Sequence, residues 1–180
     1  MRILIDQDGV LADFVEGFKR AWEAHGLPPY FGDCEWDQWD LNHYVPVHHR
    51  PMVDVLMQQQ GFFRALPVMP GAVDAVLGML NAGHDIWLCS TPVDSSAYCE
   101  NEKKAWLREH FGEAFARRIV FTQDKTLVRG DLLIDDKPEI RGVYEPAWEH
   151  VVFAQPYNAQ VQGRRRITWA NWRQVLTELV

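Results

Sequence analysis

Apolar residues fall along the chain in short runs, separated by segments with helical spacing. Ile3-Leu4-Ile5, His84-Asp85-Ile86-Trp87-Leu88-Cys89, Ile119-Val120-Phe121, Leu132-Leu133-Ile134 and Val151-Val152-Phe153 have the length and near-continuity of strands covered on both faces. Residues 13–26 read as a helix. Val73, Val76, Leu77 and Leu80 take the i, i+3, i+4, i+7 spacing of a core-facing stripe, opened by Pro70-Gly71 and closed by Asn81-Ala82-Gly83. Residues 98–111 read as a further helix, and Trp172, Val175, Leu176 and Leu179 give the closing one an apolar stripe. Alternating strands and helices predict an α/β fold with a doubly wound, parallel, Rossmann-like sheet.

One stretch breaks the alternation. Between Phe14 and Pro70, Trp22, Tyr30, Phe31, Trp36, Trp39, Tyr44, Phe62 and Phe63 crowd a segment too long for a simple connection. It predicts a small helical cap inserted after the first strand, with residues 1–14 and 65–180 as the catalytic core and residues 15–64 as the cap. Most of these rings are expected to form the cap's own small core.

In a doubly wound sheet the ligand lies beyond the carboxyl ends of the strands, so polar residues just after each strand are the candidates for chemistry. The first run is followed by Asp6-Gln7-Asp8-Gly9, the second by Ser90-Thr91-Pro92 and the fourth by Asp135-Asp136. Asp6 and Asp8, two residues apart, can converge on one ligand, while Gly9 allows a sharp turn with backbone N–H groups free for an anion. Asp13 also suits a helix cap. Carboxylates this close repel unless a cation binds them, and Mg²⁺, which takes few carboxylates and completes its shell with water and phosphate oxygens, fits. Lys103 precedes Trp106 and Leu107 by three and four residues, so it shares their sheet-facing side, while Lys104 faces water. A phosphate, together with a carboxylate of the Asp135-Asp136 pair, is the partner expected for Lys103.

Composition and charge narrow the setting. The 180 residues, 47% hydrophobic, suffice for one sizeable core. A net charge of −7 argues against nucleic-acid polymers and anionic membranes as partners, although a local pocket can still take one phosphate. Cys34, Cys89 and Cys99 lack metal-site spacing and are expected to be free thiols of a reducing compartment, with Cys89 a packing residue. No apolar stretch approaches a membrane span, and the acid motif stands where a secretory signal would lie, so a cytoplasmic location is expected.

Taken in order, Asp6-Gln7-Asp8-Gly9, Ser90, Lys103 and Asp135-Asp136 resemble the four motifs of the haloacid dehalogenase superfamily of phosphohydrolases. Asp8-Gly9-Val10-Leu11-Ala12-Asp13-Phe14, Glu102-Lys103 with Ala105-Trp106, Asp124-Lys125-Thr126, Leu132-Leu133-Ile134-Asp135-Asp136, Trp148-Glu149-His150 and Arg164-Arg165-Arg166 with Trp169-Ala170 narrow the resemblance to the 5'(3')-deoxyribonucleotidases.

The resemblance implies hydrolysis of deoxyribonucleoside monophosphates through an aspartyl-phosphate. Asp6 is then the nucleophile and Asp8 the general acid and base. Gly9, Ser90, Thr91 and Lys103 bind phosphate. Mg²⁺ is held by the Asp6 carboxylate, the Asp8 backbone carbonyl and Asp136, with Asp135 orienting Lys103 or a metal-bound water. Phe14, which follows the acid motif, and Trp39, near a base-stacking tryptophan of the family, are expected to contact the nucleoside, with Phe63 a third candidate.

Departures from the family fall where substrate is chosen. Met57 stands where animal members place an aromatic residue, Asp94 where some members have a lysine, and Ser90 where threonine is common. His43, His48 and His49 read as a solvated cap surface, and Arg164-Arg165-Arg166 as an exposed run. A phosphatase of the same fold acting on a sugar phosphate, and a non-catalytic nucleotide-binding module, are the alternatives. The expected partner is a small-molecule nucleotide; base preference, ribo- against deoxyribo-, 5' against 3' and a possible homodimer stay open.

Overall fold

The computed structural model describes residues 1–31 and 36–179; Cys34 lies outside them. Six strands form one sheet in which every pairing is parallel: β1 (Arg2–Ile5), β2 (Asp85–Ser90), β3 (Ile119–Phe121), β4 (Leu132–Asp135), β5 (Glu149–Phe153) and β6 (Arg166–Ile167). Their order is β3-β2-β1-β4-β5-β6, so the winding reverses direction on either side of β1. Side chains alternate across such a sheet. Ile3 and Ile5 therefore join the large core, while Leu4 packs with Cys89, Leu133 and Trp148 on the other face. β6 was not anticipated. It is short and pairs at the sheet edge, where a basic run hides the period-two pattern.

The helices are α1 (Phe14–Ala24), α2 (Arg50–Gln58), α3 (Ala72–Asn81), α4 (Cys99–Phe111), α5 (Glu113–Ala116) and α6 (Trp172–Thr177). Asp13 caps α1 by accepting from Glu16 N, which supplies one of the orphan amide partners of the first turn. In α3 the buried positions are Ala72, Ala75, Val76 and Met79, whereas Leu77 is exposed. The expected stripe therefore sits out of phase. Small alanines, not the largest aliphatics, bring this helix close to the sheet.

Residues 14–65 carry the rings. Phe18, Trp22, Phe31, Trp36, Phe62 and Phe63 are buried, and Phe18 alone meets Phe14, Trp22, Phe31, Trp36 and Phe62 within 6.2 Å. They belong to the same cluster as the sheet's large core, not to a separate small core. The chain enters and leaves this segment side by side, with Asp13 N donating to Pro67 O at 2.7 Å and Met69 N to Leu11 O at 2.7 Å.

His43 and His48 are exposed, as expected; His49 is half-buried, with Nδ1 2.9 Å from the Tyr30 hydroxyl. The arginine run is not uniformly exposed. Arg166 donates to Asn158 O and Oδ1, and Arg165 pairs with Glu149 at 2.9 Å. Cys89 and Cys99 are free and buried, and burial pushes the Cys89 thiol up to about 12. No described helix is long and apolar enough to cross a membrane.

Candidate active site

Where the strand order reverses, the carboxyl ends of β1 and β4 lie side by side, and Asp6 N donates to Ile134 O at 2.9 Å. That register sets Asp6 beside Asp135 and Asp136, and one oxygen from each of the three lies within 4.8 Å of the others. Gln7, between the acids, is fully buried; its carbonyl accepts from Leu11 N and Ala12 N and closes the turn. Gly9 has φ +72°, and a Cβ there would stand 2.0 Å from Asp136 Oδ2, so the position admits only glycine. Its N–H donates to Ala12 O at 2.9 Å. The backbone donor expected for an anion at Gly9 is thus spent within the turn, although Gly9 does line the cavity.

Two buried lysines divide the carboxylates. Lys103 Nζ lies 2.9 Å from Asp8 Oδ2 and donates to Ser90 Oγ at 2.9 Å and Thr91 O at 3.0 Å. The sheet-facing placement of Lys103 holds, since it is fully buried; Lys104, expected to face water, is instead half-buried with its ammonium over the ring of Phe121 in β3. The carboxylate partner of Lys103 is Asp8, not the Asp135-Asp136 pair, because α4 delivers the ammonium to the β1–β2 side of the crevice. Burial opposes its charge, yet Asp8 and the other nearby anions outweigh that and raise its pKa.

Lys125 serves the other side. It lies 3.0 Å from Asp6 Oδ1 and donates to Asp135 Oδ2, and these anions overcome burial to raise its pKa. Asp135 Oδ1 accepts from Lys137 N at 2.9 Å, so both of its oxygens are engaged and it orients Lys125 instead of Lys103.

The remaining carboxylates are poised differently. Burial raises the pKa of Asp6, with Lys125 opposing, and holds Asp136 well above the usual carboxylate range. Asp8 Oδ1 and Asp136 Oδ1 are buried without a hydrogen-bond partner, and Asp6 Oδ1 meets the Lys125 ammonium. Asp6, Asp135 and Asp136 crowd together, and the unpartnered Oδ1 of Asp136 faces this group, a hard-oxygen donor set that fits a small divalent cation.

Above this floor a cavity opens, lined by Asp6, Asp8, Asp136 and Lys125 and also by Phe14, Trp36, Trp39, Leu41 and Met57. Trp39 is 46% exposed, which marks it off from the buried rings around it. Thr91 lines the cavity, while Ser90, 1% exposed, stands behind it with its hydroxyl on Lys103. Phe63 does not reach the cavity. It is fully buried with Lys103 Nζ 5.2 Å from its ring centre, because Glu102 Oε2 accepts from Phe63 N and fixes it against α4.

Two residues that line the cavity are given no role by the sequence, Lys125 entering only as part of Asp124-Lys125-Thr126. Lys125 sits in the 3-10 turn Lys125–Leu127 beyond β3, and Tyr157 in the turn Pro156–Asn158 beyond β5. Tyr157 donates its hydroxyl to Asp136 Oδ2 and lines the cavity. Carrying the strand-end search on to β3 would have reached Lys125.

A family model described as "5' nucleotidase, deoxy (Pyrimidine), cytosolic type C protein" matches residues 1–180. A putative 5'(3')-deoxyribonucleotidase of Bordetella pertussis is 41% identical over 180 residues, covering 98% of this chain and 95% of the relative. The mitochondrial 5'(3')-deoxyribonucleotidase of Mus musculus is 38% identical, covering 98% and 85%, and the human cytosolic-type enzyme is 36% identical, covering 98% and 93%. Among solved structures, a HAD family hydrolase of Deinococcus radiodurans superposes with TM-score 0.60 at 13% identity, covering 98% of this chain and 95% of that one, a likeness of fold. Matched over its whole length, the chain belongs to the 5'(3')-deoxyribonucleotidase family.

Proposed function

We propose that the protein removes phosphate from deoxyribonucleoside 5'- or 3'-monophosphates, with residues 15–64 acting as a cap over a core of residues 1–14 and 65–180. The observation that carries this reading is that one cavity is lined both by the crowded carboxylates Asp6, Asp135 and Asp136 and by the rings of Phe14, Trp36 and Trp39. A phosphate and a nucleobase need those two environments in one pocket.

Asp6 attacks phosphorus; a bond forms from its carboxylate oxygen while the bond to the nucleoside oxygen breaks. Asp8 Oδ2 is tied to Lys103, which leaves Oδ1 to hold the proton passed to the departing alkoxide. Asp8 then takes a proton from the water that attacks the aspartyl-phosphate, releasing inorganic phosphate and restoring Asp6. Lys103 and Lys125 supply positive charge on either side as negative charge spreads over the transferring group. The Asp6 and Asp136 carboxylates and the Asp8 carbonyl would hold Mg²⁺, which supplies Lewis-acid charge neutralisation when bound. Asp135, fully engaged, orients Lys125. Phe14 and Trp39 offer ring faces to the base, a contact of about 1–3 kcal/mol, and the free thiols of Cys89 and Cys99 suit a cytoplasmic setting.

The test is release of inorganic phosphate over a panel of 5'- and 3'-nucleotides and sugar phosphates, with and without Mg²⁺. Mg²⁺-dependent turnover highest on deoxynucleotides is expected. Preference for sugar phosphates would replace the substrate class, and no turnover of any phosphomonoester would make the chain a binding module.

A further inference from the structure

Asp136 is gripped from one direction. Asn158 Nδ2 donates to its backbone carbonyl at 2.7 Å, and the Tyr157 hydroxyl donates to its Oδ2, leaving Oδ1 without a partner. The grip is rigid. Asn158 also donates to Phe153 O at 2.8 Å, its Oδ1 accepts from Gln155 N and Arg166, and it is fully buried. On the facing side, a Cβ at Gly9 would come within 2.7 Å of the Tyr157 oxygen, so the phenol is held close against the acid-motif backbone. The other end of the same side chain meets the cap. The Tyr157 and Trp39 rings meet edge to face, their centres 5.4 Å apart and planes 74° apart, and both line the cavity.

We infer that Tyr157 is a positioning residue for both halves of the site: its hydroxyl fixes Asp136 so that Oδ1 is the oxygen presented to a divalent cation, and its ring seats Trp39 for the nucleoside. The inference rests on the phosphohydrolase reading above. Its logic is that of an outer partner to a metal ligand, in which a hydrogen bond to one oxygen sets the direction of the other. Without the hydroxyl, Asp136 Oδ2 would lose the partner it has here and the carboxylate would be free to turn. Loss of such a partner typically costs about 10–100-fold in metal affinity.

Calorimetric titration of the nucleotide-free protein with Mg²⁺ separates the possibilities. Y157F is expected to bind Mg²⁺ about ten-fold more weakly than wild type, while W39A binds it as wild type does. Y157L, which also lacks the hydroxyl, shows the same weakening and serves should the phenylalanine variant fail to fold. At saturating Mg²⁺, Y157F keeps the wild-type KM for a deoxynucleoside monophosphate. Y157L, having lost the ring, raises that KM several-fold but leaves the KM for p-nitrophenyl phosphate unchanged. Equal Mg²⁺ affinity in wild type and both Tyr157 variants overturns the inference while leaving the phosphohydrolase reading intact. Absence of Mg²⁺ binding in wild type overturns the metal assignment along with it. Equal KM increases on both substrates in Y157L would reduce the ring to a fold-supporting role.

Discussion

At the floor of the cavity, Asp6, Lys125 and Asp135 are fixed by ion pairs and by the parallel register of β1 and β4; on the wall, Trp39 stands half in solvent against the edge of Tyr157. The floor carries concentrated charge in a buried setting, where burial and neighbouring charges shift the protonation of Asp6 and Asp136. The wall carries apolar ring surface, with Phe14 resting on Phe18 and Phe62. Forces of the first kind suit reacting atoms that must not move, whereas ring packing tolerates changes of shape. Chemistry is therefore expected to fail steeply when the floor changes, and substrate preference to drift when the wall does.

The largest effect belongs to Asp6. Asp6→Asn removes the nucleophile and should lower phosphate release by on the order of 10⁶-fold, as for loss of a covalent nucleophile elsewhere. Because burial already disfavours its charge, the melting temperature should not fall at pH 7. Comparable turnover in this variant would end the division of labour between floor and wall.

The two lysines sharpen the comparison within the floor. Lys125→Ala strands Asp135, which is 1% exposed, whereas Lys103→Ala strands Asp8, whose side chain is 22% exposed and can reach water. Breaking a buried pair in this way costs about 3–5 kcal/mol, so thermal unfolding should show a larger loss for Lys125→Ala. Both variants should weaken inhibition by inorganic phosphate, and Lys104→Ala should leave it unchanged. Equal stability of the two variants would mean that the ion pairs do not hold the floor.

A smaller effect concerns pH. Burial raises the pKa of Asp6 and Asp136, so above the ordinary carboxylate value the folded chain retains protons that the unfolded chain has lost. Their protonation favours folding on the acid side, and that contribution disappears as pH rises through the folded values. In divalent-free buffer, the fall in melting temperature as pH rises above the ordinary carboxylate value should be shallower in Asp136→Asn by a few degrees, at about 2–4 °C per kcal/mol. His150, whose pKa burial depresses, contributes the opposite slope to both proteins and cancels in the comparison. Identical slopes would show that the Asp136 carboxylate carries no burial strain.

Legibility in the sequence followed the same divide. Apolar parallel strands announce themselves, and the residues just after them must lie at one edge of the sheet, so Asp6, Asp8, Asp135 and Asp136 could be read directly. Lys125 and Tyr157 were harder to read, because each sits in a 3-10 turn four residues past the end of its strand, where no periodicity marks it; a strand-end search extended to β3 reaches Lys125, whereas Tyr157 lies in a turn without a comparable signal. In α3 the alanines carry the buried face and misled a reading weighted toward large side chains. On the wall, adjacent rings look alike in sequence. Phe63 was separated from the cavity by a hydrogen bond to Glu102, a residue far along the chain.

The division of labour is tested most directly by kcat/KM of the Phe14→Ala, Trp39→Ala double variant, measured in parallel on a deoxynucleoside monophosphate and on p-nitrophenyl phosphate with saturating Mg²⁺. Remote binding energy positions phosphorus only for a substrate that carries a base. The expected result is a loss of about 10- to 100-fold on the nucleotide, the scale of one or two stacking contacts, with the small aryl phosphate nearly unchanged. Equal losses on both substrates, or full activity on the nucleotide, would contradict the account.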